Sequence, residues 1–142
     1  MITVMVSGKF DPLHEGHIKH IQKASKLGDY LVVIVQTDES VRAVKDGELN
    51  IPLWARCVTV KGVLKVFHIN GDAFPGLDRD GKSTESLRHF KPDIYAKGGD
   101  RTPDNMPAEE IAVCKQLGIE FRFGIGDQLN SSSGIKVVKE EV

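Results

Sequence analysis

With 142 residues, 40% of them hydrophobic, the chain is long enough for one domain with one core and too short for two comfortable ones. Nineteen Lys and Arg against twenty Asp and Glu leave a net charge of −1, so no global field favours DNA, RNA or anionic lipid, and an anion has to be captured by a local site. No apolar run approaches a membrane span, the opening ITVMV is followed by Gly, Lys and Asp rather than a cleavage site, and Cys57 and Cys114 fall in apolar stretches outside any Cys-x-x-Cys or metal-ligand pattern. A cytoplasmic setting with two reduced core cysteines is expected.

Taken from the N-terminus, residues 2–6 form a short β-branched run that reads as a strand. A polar segment, Ser7 to His17, leads into a helix expected over 17–27, where Ile18, Ile21 and Ala24 fall on one stripe and Lys19, Lys23 and Lys26 on the other, with Gly28 as the stop. Residues 30–36 read as a second strand and 45–52 as a loop. A helix is expected over 53–64, against the grain of Val58, Val60 and Val63, with a strand over 63–69 and a loop over 70–83 that carries Gly71, Pro75, Gly76 and Gly81. Strands at 93–96 and 119–125 flank a helix at 109–117, in which Ile111, Cys114 and Leu117 face inward and Gly118 ends the run. Ser131, Ser132 and Ser133 stand where they would cap a last helix with apolar Ile135, Val138 and Val142. Strands alternating with amphipathic stretches predict an α/β fold, a doubly wound sheet of about five parallel strands with helices on both faces.

The chemistry is concentrated in Ser7-Gly8-Lys9-Phe10-Asp11-Pro12-Leu13-His14-Glu15-Gly16-His17, which leaves the first strand and enters the first helix. In a doubly wound sheet this crossover lies at the carboxyl edge, where ligands bind. Backbone N–H groups at a helix start attract phosphate, and Gly16 lets a phosphate approach the main chain. His14 and His17, three residues apart, can address one phosphoryl group from the same turn, and such donors suit charge that grows on oxygen during displacement at phosphorus. A turn-capping His14 and a surface His17 would be the bland alternative.

On GKFDPLHEGH the sequence resembles the cytidylyltransferase-like nucleotidyltransferase superfamily, whose His-x-Gly-His signature stands here as HEGH. Within it the chain resembles the adenylyltransferase domain of ADP-heptose synthase and its stand-alone relatives, with glycerol-3-phosphate cytidylyltransferase a step further away. KLGDYLVVIVQTDESVRAVK, KGGDRTPDNMP and SSSGIKVVK extend the resemblance over nearly the whole chain.

The resemblance implies a Rossmann-like fold, a homodimer, and Mg2+ carried on the nucleoside triphosphate rather than in a protein metal site. It makes His14 and His17 the pair that stabilises the pentacoordinate transition state and Lys45 a mobile-loop lysine at the phosphates, the alternative for Lys45 being a solvated surface charge. Gly8, Lys9, Phe10, Asp11 and Gly16 of the first loop, with Gly98, Gly99 and Asp100 after the fourth strand, line the nucleotide site. Ser131, Ser132 and Ser133 meet the triphosphate. Arg56 falls where relatives carry an arginine at the start of the helix after the mobile loop, and it either binds the acceptor phosphate or pairs with a surface acid.

Lys9 departs from the Thr, Cys or Gly common at its position. GIGDQLN lacks the arginine that CTP-using relatives carry before the terminal serines, which favours ATP over CTP. The 70–83 connection is longer than in those relatives, a place for acceptor specificity. The expected activity is transfer of a nucleoside monophosphate from a nucleoside triphosphate to a phosphorylated small molecule such as a sugar 1-phosphate, with pyrophosphate released and neither nucleic acid nor membrane as partner. The alternatives are a CTP-dependent enzyme acting on a polyol or alcohol phosphate, a nucleotide sensor without turnover, and a metal site built from His14, His17 and His20.

Overall fold

The computed structural model describes residues 1–44, 47–99 and 102–126. Five strands, β1 (Thr3–Gly8), β2 (Tyr30–Val35), β3 (Gly71–Pro75), β4 (Ile94–Ala96) and β5 (Glu120–Arg122), form one parallel sheet in the order β3-β2-β1-β4-β5. The helices are α1 (Glu15–Ser25), α2 (Asp38–Arg42), α3 (Leu53–Val66), α4 (Thr84–Phe90) and α5 (Ala108–Leu117). The expected doubly wound α/β architecture is what the chain adopts. The direction of winding reverses between β1 and β4, and that switch point opens a crevice at the carboxyl edge of the sheet.

Period-two alternation divides the core between the two faces. Val4, Val6, Leu31, Val33, Val35, Ile94 and Ala96 pack with Ile21 and Ala24 of α1 and with Cys57, Val60 and Leu64 of α3. Met5, Val32, Ile34 and Tyr95 turn to the opposite face and pack with Leu87 of α4 and with Val113 and Cys114 of α5. The central strands are therefore apolar throughout, as strands covered on both sides must be. Both cysteines are buried and unbridged, and among the described residues no helix is long and apolar enough to cross a membrane.

One stretch differs from the sequence expectation. Residues 63–69, read as a strand, are instead the last turn of α3 and the turn that follows, while the true strand, β3, lies at Gly71–Pro75, inside the expected 70–83 loop. Cys57, Val60 and Leu64 recur at helical spacing and bury one face of α3, and this long-range packing outweighs the β preference of the valines. β3 hides its character because it is an edge strand paired only with β2, where Pro75 and Asp72 are tolerated. Gly71 is required there, since a Cβ would lie 2.2 Å from the Leu31 carbonyl oxygen. Helices α2 and α4 also escaped the sequence reading, and the expected helix after the terminal serines lies outside the described residues.

Candidate functional site

β1 ends at the switch point and delivers its last residues into the crevice. Gly8 stays a glycine because the Phe10 ring lies over it, and a Cβ would come within 3.1 Å of that ring. Phe10 turns the chain with φ 53°, an uncommon conformation for an aromatic residue, and its ring, 2% exposed, is held by the core beneath. Asp11 anchors the far side of the turn. Its carboxylate accepts hydrogen bonds from the backbone N–H groups of Asn50 (2.8 Å) and Ile51 (2.7 Å), tying the chain before α3 to this loop. Lys9 extends outward, exposed.

The two histidines build the start of α1, two residues earlier than the periodicity implied. His14 is the N-cap: the Gly16 N–H donates to His14 Nδ1 at 3.1 Å, and the His14 N–H donates to His17 Nδ1 at 3.1 Å. Each imidazole thus satisfies an N–H that the helix leaves without a partner, in the reciprocal manner of a capping box. A backbone N–H can only donate, so both Nδ1 atoms carry lone pairs and the proton of each neutral ring sits on Nε2. The rings stack with centroids 3.7 Å apart, and the edge of the Phe10–His17 pair, 5.0 Å between centroids, fixes the second ring from below. Burial, with the neighbouring His14 and His20, lowers the His17 pKa to about 4, so this ring is a neutral Nε2–H donor at physiological pH.

His20, one turn further on, has the opposite tautomer. Its Nδ1–H donates to the Ile125 carbonyl at 2.5 Å and ties the segment after β5 to α1. Burial lowers its pKa, the bond to Ile125 opposes this, and the charge of Lys97 adds to the lowering. His20 therefore serves the scaffold with its Nδ1 side, and among the described residues no group of three or more His, Cys, Asp or Glu side chains is arranged to hold a metal ion.

Arg56, expected at an acceptor phosphate or a surface acid, is fully buried. Its Nε donates to the Ile51 carbonyl (2.7 Å), one terminal nitrogen donates to the carbonyls of Lys9 (2.9 Å) and Gln36 (2.6 Å), and the other pairs with Asp38 at 2.6 Å. The guanidinium fork joins the ends of β1 and β2 to the starts of α2 and α3, and so acts on the crevice through the backbone it holds. Nothing in the local sequence distinguishes such an arginine from a ligand-binding one.

On the other wall, Gly98 and Gly99 follow β4. The pairing of Met5 with Tyr95 puts Gly98 level with Gly8, three residues on along each strand. The structure thus gathers Gly8, Lys9, Phe10, Asp11, His14, Gly16 and His17 on one side of the switch point with Gly98 and Gly99 beside them. Lys45, Asp100, Ser131, Ser132 and Ser133 lie outside the described residues. Sequence reasoning missed a buried group beneath this edge: Tyr95, Glu110 and Ser83 with Ser7 and Lys97, joined by hydrogen bonds between residues as far as 88 positions apart.

A family model described as cytidylyltransferase-like matches residues 5–138. The bifunctional protein HldE of Desulfatibacillum aliphaticivorans is 39% identical over 116 residues, which are 81% of this chain and 22% of that protein. D-beta-D-heptose 1-phosphate adenylyltransferase of Bordetella bronchiseptica is 36% identical over 81% of this chain and 67% of its own length. The chain spans about a fifth of the bifunctional relatives it matches. The crystal structure of the lipopolysaccharide core biosynthesis protein from Thermoplasma volcanium GSS1 superposes with a TM-score of 0.66 at 29% identity, covering 87% of this chain and 94% of that one. A bifunctional NMN adenylyltransferase/ADP ribose pyrophosphatase from Francisella tularensis shares the fold at 14% identity, with a TM-score of 0.62 over 92% of this chain and 39% of its own.

Proposed function

This chain belongs to the cytidylyltransferase-like family, and from that premise we propose that it is a nucleotidyltransferase that joins the nucleoside monophosphate of a nucleoside triphosphate to a phosphorylated metabolite and releases pyrophosphate. The observation that carries the proposal is the histidine pair at the start of α1. With both Nδ1 atoms occupied by backbone N–H groups, the two Nε2–H groups are the donors left for a ligand, at the switch-point crevice where this class of sheet binds ligands.

A phosphate oxygen of the acceptor attacks the α-phosphorus, the new P–O bond forms as the bond to the β-phosphate oxygen breaks, and pyrophosphate leaves in line. A phosphate dianion is already nucleophilic at neutral pH, so no general base is required. The protein contributes position and charge stabilisation: His14 and His17 donate to oxygens on which charge grows. His17, its pKa lowered by burial, donates as a neutral ring.

Mg2+ enters as part of the triphosphate substrate. ATP is the expected nucleotide and a sugar 1-phosphate the expected acceptor. Support comes from the relative named as a heptose 1-phosphate adenylyltransferase and from GIGDQLN, which lacks the arginine of CTP-using relatives. Lys45, Asp100 and Ser131–Ser133 join the site on the resemblance alone, and the homodimer and cytoplasmic setting are proposed on the same ground. Incubation with each of the four triphosphates, Mg2+ and a panel of sugar and alcohol phosphates, following pyrophosphate, tests the proposal. Acceptor-dependent release that prefers ATP is expected; preference for CTP would overturn the nucleotide, and no release with any pair would overturn the activity.

A further inference from the structure

The mechanism above makes no use of the polar group beneath the crevice. Tyr95 is fully buried, and its hydroxyl is a junction: Ser7 Oγ lies 2.9 Å away, Glu110 Oε1 3.1 Å and Lys97 Nζ 3.2 Å. The phenol has one proton to give, and the Glu110 carboxylate is the neighbour that can only accept. The Ser7 hydroxyl and the Lys97 ammonium therefore both donate to the Tyr95 oxygen. The second carboxylate oxygen of Glu110 accepts the Ser83 N–H at 2.9 Å, so the residue, 4% exposed, is itself locked in place. Burial and the facing Glu110 push the Tyr95 pKa up, which keeps the proton on the phenol and the direction of the network fixed.

The network includes a lysine. Lys97 Nζ also stands 4.6 Å from the centre of the Tyr95 ring, a cation–π contact. A surface lysine needs no such support; here a buried phenol and a buried carboxylate hold a long side chain against its rotamer freedom. Lys97 directly precedes Gly98 and is level with Ser7, so the residue stands just past the carboxyl end of β4, beside the switch point.

We propose that Lys97 is a further substrate-binding residue, contacting an anionic phosphate oxygen of a bound substrate, and that Tyr95, fixed by Glu110, is the positioning residue that aims it. The identity of that anion rests on the nucleotidyl-transfer function, and it belongs either to the triphosphate or to the acceptor.

Calorimetric titration of the full chain with Mg2+–pyrophosphate in one arm and inorganic phosphate in the other separates the two sources. Lys97→Gln should weaken one of these anions by about tenfold or more, as for a lost hydrogen bond to a charged group. Lys97→Arg should recover part of the loss, since the charge remains but the shape does not. Tyr95→Phe should weaken the same anion by a smaller factor and leave the other unchanged, a split that loss of folding stability alone would not produce. A folded Lys97→Gln protein that binds both anions as tightly as wild type overturns the proposal, and so does a wild type that binds neither. Should Lys97→Gln fail to fold, unchanged affinities in folded Tyr95→Phe overturn it instead. Lys97-dependent binding in a protein that releases no pyrophosphate from any triphosphate would uphold the residue's role and overturn the function.

Discussion

Replacing Arg56 with alanine separates a scaffold arginine from a substrate-binding one. The side chain is fully buried and makes four hydrogen bonds, three of them to backbone carbonyls of Ile51, Lys9 and Gln36. Each buried acceptor deprived of its donor costs about 1–3 kcal/mol. Asp38, whose side chain is 36% exposed, rehydrates when its partner goes, so the ion pair adds little. With some collapse of the vacated space, a loss of about 3–5 kcal/mol is expected, a large share of a domain stability of about 5–15 kcal/mol. At about 3 °C per kcal/mol for a chain of this size, the melting temperature should fall by about 10–15 °C. Arg56→Lys keeps the charge but not the planar fork, and should lose about half as much. Thermal and urea denaturation measure the loss, and acceptor KM is measured well below the new melting point. An alanine variant that melts within about 2 °C of wild type while its acceptor KM rises tenfold or more would refute the scaffold role and place the guanidinium on the substrate.

Nitrogen-15 chemical shifts of the imidazoles should report Nε2–H tautomers for neutral His14 and His17 and Nδ1–H for His20, because the backbone occupies opposite ring nitrogens; one shared tautomer for all three would contradict the capping geometry. His17, with its pKa lowered to about 4 in the folded chain, takes up its proton more readily when unfolded, so its contribution to stability is complete above about pH 6.5 and is lost as pH falls to about 4. His17→Asn should flatten the pH dependence of stability in that window, and an unchanged slope would count against the shift. Gly8→Ala should cost about 1–2 kcal/mol, since the new methyl meets the Phe10 ring at 3.1–3.4 Å and that ring is held by the core; a wild-type melting temperature would show that the ring can yield.

Much of this arrangement is written locally. Apolar β-branched runs at 30–36 and 93–96 fall on β2 and β4, and the HEGH spacing locates the start of α1 at the end of β1, because short-range periodicity and capping chemistry decide both. β3 was hidden because an edge strand can carry Gly, Asp and Pro, the residues that mark loops elsewhere. The helix expected over 53–64 is α3, and the strand expected over 63–69 is instead the end of that helix, because Leu64 is buried on the same face as Cys57 and Val60. Arg56 could not be sorted between scaffold and ligand, since its partners come from Lys9, Gln36, Asp38 and Ile51, which only the fold brings together. Tyr95, Ser83 and Glu110 carry no motif, and they meet Ser7 and Lys97, which open two of the segments singled out in the sequence, through β1–β4 pairing and the docking of α5.

The central claim is that His14 and His17 act on the transition state through their Nε2–H groups. Single-turnover transfer, measured with His14→Asn and His17→Asn at saturating nucleotide and acceptor, reads the chemical step apart from binding. Each variant is expected to slow that step by about 10²–10³ while its nucleotide dissociation constant changes by less than about tenfold. Wild-type rates in both variants, or a loss confined to nucleotide affinity, would contradict the claim.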